Sequence, residues 1–355
     1  MVLSKIALHN FRNIQQATYE LHPHMTVIRA ANAMGKTNIL EAIHVLCLGH
    51  GFREDYEIEL VRMGQTQSSI EGNVHEKKAS EKERRGVMLM SDNLGHIKKT
   101  YLIEKAKKSA RAYTQTGVRA VLFAPEHIEI LTGSPDRRRQ YLNTIISSYD
   151  PEYKKRLTNY EQALRRRNKL FTTIEDEWQL EEELQFWNTY LIEQASYVTL
   201  QRRLYIEHLN STGELESKQF ICEYIPNEFS AAHLARTGAK EIAARRTLIG
   251  PQKDDFQLKL YDSRIETHKL IDIYGSRSEQ RLGIVWLKRG EIMYALERSS
   301  RAPLVLLDDV FSEFDDENRE LVMRVVSAYQ TVATTTESPE HIRSIVQTKY
   351  ETITL

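Results

Sequence analysis

Apolar and polar positions alternate near the start of the chain, and that period predicts strands. Ile6 and Leu8 alternate with polar neighbours, and Tyr19 and Leu21 do the same before a turn at His22-Pro23-His24. Met25–Arg29 reads as a third strand. From Lys36 the period changes: Ile39, Ile43 and Leu46 fall three to four residues apart and so share one face of a helix that stops at Gly49. Between about residues 55 and 123 the strand pattern returns, most clearly at 87–90 and 101–103, while the Lys- and Glu-rich stretch 75–85 reads as a solvated loop.

The middle of the chain is helical. Ser134-Pro135-Asp136 and Asp150-Pro151-Glu152 each place a capping side chain before a first-turn proline and an acid, signalling two helix starts. Tyr153, Leu157, Tyr160 and Leu164 keep a four-three-four spacing, and Leu184, Trp187, Leu191 and Val198 continue it to a stop at 210–213. This predicts an antiparallel helix pair whose arms, at about 1.5 Å per residue, are tens of ångströms long. Strands return after Leu248, at 257–261 and at the very apolar Leu304–Leu307, which runs into Asp308 and Asp309. The two chain ends are therefore expected to form one domain, 1–122 with 247–355, interrupted by a helical lobe, 123–246.

The loop between the third strand and the first helix carries chemistry. Ala30-Ala31-Asn32-Ala33-Met34-Gly35-Lys36-Thr37 has the P-loop spacing, in which backbone N–H groups wrap the phosphates of ATP, the lysine neutralises them and the hydroxyl helps hold Mg²⁺. A Gly-Lys-Thr tripeptide alone arises by chance; the strand before it and the helix after it do not. Ala30 stands where the pattern has glycine, and a positive φ there would cost about 1–2 kcal/mol. A buried strand ending in two acids places one carboxylate, Asp308, on the metal beside Thr37 and the other, Asp309, near the attacking water. The plainer alternative is a core strand that ends in a charged turn.

Composition narrows the setting. A chain of 355 residues, 41% hydrophobic and 28% charged, suits two lobes with their own cores. No apolar run reaches bilayer length and no secretory start is present, so a cytoplasmic protein with no membrane partner is expected. Cys47 and Cys222 lie too far apart in sequence to suggest a zinc site or redox pair. Lys plus Arg equal Asp plus Glu at 49 each, so any nucleic-acid binding must come from a local patch. Short basic clusters occur at 137–139, 154–156, 165–167 and 202–203. Successive helical residues point about 100° apart, so several clusters would have to converge; for any one, solvated surface paired with acids such as Glu181 and Glu183 is the simpler reading. Tyr141, Tyr153 and Tyr160 are expected in the core rather than stacked on bases.

With these residues in view, the chain resembles the RecF family of bacterial recombination and repair proteins along nearly its full length. The resemblance rests on residues 9–13, 32–38, 49–53, Phe123-Ala124-Pro125-Glu126, Gly133-Ser134-Pro135, 165–169, 250–255, 307–315 and 334–337. It implies an α/β, ABC-type P-loop ATPase head with an inserted helical lobe, and ATP and Mg²⁺ as cofactors. It also implies an ATP-dependent homodimer on gapped or single-strand/double-strand junction DNA, loading recombinase with RecO- and RecR-type proteins in repair, replication and the SOS response. By the same resemblance Arg12 joins the nucleotide-binding residues, and the segment from Gly275 to Arg281 looks like an ABC signature whose Ser276 meets ATP held by the second copy, in trans; an ordinary helix capped by Ser276 is the alternative reading of that segment. Ser278 stands where that signature has glycine, and Gln252 and Lys253 replace the family's His and Arg. Asp309 is shorter than the Glu common in efficient ABC-type ATPases, so weak, DNA-dependent hydrolysis is the most expected. Those departures leave a second reading open: a non-hydrolysing scaffold that docks DNA or protein. An SMC-like organiser or a nuclease is disfavoured by the short helical insert.

Overall fold

The computed structural model describes residues 2–54, 56–75, 82–92, 95–264, 266–310, 314–346 and 348–355, with the side chains of 177, 344 and 345 outside the description. The chain begins β1 (Val2–Phe11), β2 (Ile14–Glu20), β3 (Met25–Arg29), α1 (Lys36–Leu48), β4 (Gln67–His75), β5 (Glu83–Ser91), β6 (Ile97–Ile103), β7 (Ala106–Lys108), α2 (Ala110–Thr116) and β8 (Ala120–Phe123). It continues with α3 (Glu129–Thr132), α4 (Pro135–Tyr149), α5 (Pro151–Thr173), α6 (Glu177–Ser211), β9 (Phe220–Ile225), α7 (Ala231–Ala244), β10 (Asp255–Asp262) and β11 (Thr267–Leu270). It closes with α8 (Ile271–Tyr274), α9 (Arg277–Ser299), β12 (Leu304–Leu307), α10 (Asp316–Val326), β13 (Thr331–Thr335), α11 (Pro339–Ile345) and β14 (Tyr350–Thr354).

Two compact units result: residues 1–127 with 291–355, and residues 128–290. The first contains a six-stranded antiparallel sheet, β2-β1-β4-β5-β6-β7, and a five-stranded parallel sheet, β14-β3-β13-β12-β8. Helix α1 touches both sheets. The expected apolar face of Ile39, Ile43 and Leu46 is buried, but so are Leu40, Glu41, Ala42, His44, Val45 and Cys47. A helix enclosed on nearly every side needs little amphipathic contrast, because both its faces meet sheet side chains such as Leu8, Val87, Leu306 and Val332. Gly49 ends it in the left-handed region at φ 83°, donating its N–H to Val45 O at 2.8 Å. The loop expected at 75–85 is shorter: His75 closes β4, and Val74 pairs with Glu83 and Asn73 with Arg84, while 76–81 lie outside the described residues.

The second unit is built on the α5–α6 hairpin, whose 23 and 35 residues correspond to about 35 and 50 Å. Asp150 caps α5 through the N–H groups of Glu152 and Tyr153, whereas Ser134 sits at the N-cap of α4 without a side-chain cap bond. Tyr160, Ala163, Leu191, Ala195, Phe229 and Ile249 make one core cluster, and Phe171, Leu180 and Leu184 make another. Tyr141 and Tyr153 are buried, as expected. Residues 247–290, read from sequence with the chain ends, fall in this unit, and 123–127 fall in the first. The reason is pairing: β10 runs antiparallel to both β9 and β11, from Asp255↔Ile225 to Asp262↔Thr267. A two-residue period identifies a strand without naming its neighbour.

Candidate nucleotide site

In the parallel sheet β13 lies between β3, which leads into the Ala30–Thr37 loop, and β12, which leads into Asp308. The loop leads into the N-terminus of α1, where Gly35 is the N-cap and no side chain caps the first turn. Its free N–H groups and the helix dipole form a ready anion site. A cavity of about 250 Å³ opens here, lined by Asn32, Ala33, Gly35, Lys36, Thr37, Asn38, Arg53 and Asp309. Lys36 is buried and donates to the carbonyls of Ala30 and Ala31 at 2.7 and 3.1 Å. Those two residues therefore hold the lysine rather than line the cavity, and Met34, 54% exposed, is also outside the lining.

The strain considered for Ala30 falls elsewhere. Ala30 is not among the positive-φ residues; Ala33 and Gly35 are, at 65° and 92°. Ala30 instead donates its N–H to Thr335 O at 3.3 Å, as an extension of the sheet. At Gly35 the positive φ favours glycine, and an added Cβ would stand 3.0 Å from Asn13 Oδ1 and press on that side chain.

Behind Thr37, outside the cavity lining, its Oγ1 donates to Asp308 Oδ1 at 2.9 Å, and Thr334 Oγ1 approaches the same oxygen at 2.8 Å. Asp309 takes the left-handed conformation at φ 48° and donates its N–H to Thr334 Oγ1 at 2.9 Å. Burial pushes the Asp308 carboxyl above the usual carboxylate range, opposed by the hydrogen bonds from Thr334 and Thr37 and by the charge of Arg53. A hydroxyl and a carboxylate this close are the hard oxygen donors Mg²⁺ takes, so the residues present fit that ion.

Arg12 has a different setting. It grips Glu41 at 2.7 and 2.9 Å and Glu59 at 3.3 Å. Burial alone would lower its pKa, but these carboxylates outweigh it and hold the guanidinium above its ordinary value. It is not among the lining residues; Arg53 is, donating to Asn38 Oδ1 at 2.6 Å while Asn38 donates to Asn13 Oδ1 at 2.7 Å. No spacing rule points to Arg53. It follows a helix about 20 Å long, and only the chain's return along α1 brings it back to the first turn.

Ser276 caps α9 in a reciprocal box: it receives the Glu279 N–H at 3.2 Å, and Glu279 Oε2 receives the Ser276 N–H at 2.7 Å. Gln252 receives the Tyr160 hydroxyl and donates to Ile249 O at 2.8 Å, while Lys253 is exposed. Of the basic clusters, Arg167 and Arg202 are buried on Glu241 and Asp254, both at 2.7 Å. Arg138 is held on Asp255 at 2.9 Å, and Arg137, Lys154, Lys155, Arg165 and Arg166 are exposed. No helix among the described residues is long and apolar enough to cross a membrane.

A parallel sheet that sets a phosphate loop beside an acid-tipped strand, with an antiparallel sheet over the loop's helix, defines an ABC-type P-loop ATPase head. Residues 2–344 match the family model for the RecF/RecN/SMC N terminal domain, and the chain belongs to the RecF family within it. It is 30% identical over 357 residues to the DNA replication and repair protein RecF of Exiguobacterium sp., covering 95% of this chain and 92% of that one. The RecF of Lactococcus lactis subsp. cremoris is 29% identical over 367 residues, covering 97% and 95%. A solved structure of the recombination mediator protein RecF-ATPrS in the RecFOR pathway superposes with a TM-score of 0.83 at 26% identity, covering 99% and 95%. An Smc head bound to the C-winged helix domain of ScpA shares the fold, with a TM-score of 0.52 at 13% identity, covering 95% and 90%.

Proposed function

We propose that this chain is a RecF-type, ATP-binding protein of recombinational DNA repair and replication-fork maintenance, acting in the cytoplasm. The observation that carries the reading is the 2.9 Å contact between Thr37 and Asp308, which joins the phosphate loop to an acid 271 positions away. In this reading the loop from Ala30 to Thr37 receives the phosphates of ATP through the N–H groups at its cavity side, Asn32, Ala33 and Gly35 to Thr37, and the Lys36 ammonium, which Ala30 and Ala31 hold by their carbonyls, while Arg53 adds a second cation. Thr37 and Asp308 hold Mg²⁺, which when bound supplies charge neutralisation between the phosphates. Asp309, on the cavity wall, orients the attacking water. Its short side chain favours slow turnover. Ser276 of a second copy completes the site, so that ATP closes a homodimer on gapped or junction DNA and the pair works with RecO- and RecR-type proteins in loading recombinase. The RecF-ATPrS likeness and the curated RecF relatives support this assignment.

Sedimentation of the wild type and Lys36→Ala, with and without ATP, tests it. A dimer is expected only for the wild type with ATP, and a monomer under every condition overturns closure. The capping box that engages the Ser276 hydroxyl favours the second reading, a scaffold that does not hydrolyse ATP. Turnover that disappears in Asp308→Ala excludes the scaffold.

A further inference from the structure

Thr334 stands where the two acids of the proposed ATP site meet. Its neighbour Ala333 pairs with Leu307, so Thr334 lies alongside Asp308 at the end of the parallel sheet, fully buried. A threonine hydroxyl has one proton and two lone pairs. The Asp309 N–H uses a lone pair at 2.9 Å, and the proton is best directed at Asp308 Oδ1, 2.8 Å away, rather than at Leu307 O, 3.4 Å away. One hydroxyl thereby holds the carboxylate of the first acid and the backbone of the second.

Each bond answers a particular instability. Asp308 has two donors on one oxygen, Thr37 from α1 and Thr334 from β13, and together they fix rotation about its Cβ–Cγ bond. Asp309 sits at φ 48°, in the left-handed region that residues with a Cβ usually avoid, and the bond from its N–H to Thr334 anchors that conformation. Thr334 is not among the cavity-lining residues, which leaves it to act through the acids rather than on the nucleotide.

We propose that Thr334 is a positioning residue that sets Asp308 toward the metal and Asp309 toward the water with a single hydroxyl. This rests on the ATP and Mg²⁺ reading of the site. Loss of the hydroxyl then weakens the part of ATP binding that depends on Mg²⁺ and leaves the part that depends on the phosphate loop.

The test is calorimetric titration of ATP into the full chain in Mg²⁺ and in EDTA, for wild type, Thr334→Val, Thr334→Ala and Thr334→Ser. Valine keeps the branched shape, alanine cannot overpack, and serine restores the hydroxyl. The Mg²⁺ enhancement is expected to fall about tenfold in the valine and alanine variants, the loss typical of one hydrogen bond to a charged group, with affinity in EDTA unchanged. Serine keeps the enhancement within about threefold of wild type. An unaltered enhancement in valine and alanine, or its loss in serine as well, overturns the proposal. A wild type with no ATP binding that requires Lys36 overturns the ATP reading itself, and this inference with it.

Discussion

At the scale of single residues the site trades stability for chemistry. Burial holds the Asp308 carboxyl above the usual carboxylate range, so the folded protein disfavours its charged form. A raised acid contributes stability that is complete below its unfolded pKa, about 4, and lost as pH rises through the folded value. At neutral pH the apoprotein therefore carries a cost that Asp308→Asn removes while keeping an oxygen for Thr37 and Thr334. Scanning calorimetry without nucleotide should show a higher Tm for Asp308→Asn at pH 7, about 2–4 °C for each 1 kcal/mol relieved, with the gain shrinking toward pH 4. A lower Tm at pH 7 would show that charge at this position supports the fold. The loop spacing at 30–37 and the apolar strand ending in Asp308 and Asp309 can be read from sequence as patterns, and the structure brings Thr37 to within 2.9 Å of Asp308. The strain at Ala33 cannot be read that way, because a spacing pattern carries no φ.

At the scale of elements the helical period explains which charges are structural. Successive residues on a helix diverge by about 100°, so a basic cluster on one helix is divided between core and solvent. Arg202 is buried and gives its guanidinium to Asp254, Pro251 O, Tyr153 and Asn143, while Arg203, half exposed, lies 3.6 Å from Glu228. Truncating Arg202 takes the cation away from the fully buried Asp254 carboxylate and leaves it the Tyr224 hydroxyl and the Asn227 N–H. Arg202→Ala should lose about 3–5 kcal/mol in urea unfolding, and Arg203→Ala should stay within about 0.5 kcal/mol of wild type. Equal effects would mean that the buried network does not carry the second unit. Sequence reading located the four clusters but could not divide them, because the apolar face of α6 is weakly marked and the partner acid, Asp254, comes from a loop some fifty residues downstream. The two cap signals before α4 and α5 were both placed well, yet only Asp150 uses its side chain, since a cap residue identifies a position and not a bond.

At the scale of the whole molecule, the chain order with the phosphate loop and the acidic strand far apart made the discontinuous head readable, and β12, β13 and β14 do join β3 and β8 in one sheet. The assignment of 255–270 was less readable, because β10 has the same period as a head strand and only its pairing with β9 places it in the second unit. Charge has the same character. The sum over all 355 residues is zero, so a DNA-binding surface depends on the basic side chains that folding leaves in solvent, and the buried Arg167 and Arg202 are excluded from it. Arg165 and Arg166 remain exposed on α5, although Arg166 lies 5.6 Å over the Trp187 ring. If they contact backbone phosphates, replacing both with Gln should lower the slope of log affinity against log salt by about 1.8 on duplex DNA, equally for unrelated sequences. Fluorescence anisotropy on gapped and intact duplexes at several salt concentrations measures this. An unchanged slope assigns the pair to solvated surface, and a change confined to one sequence would contradict a grip on phosphates.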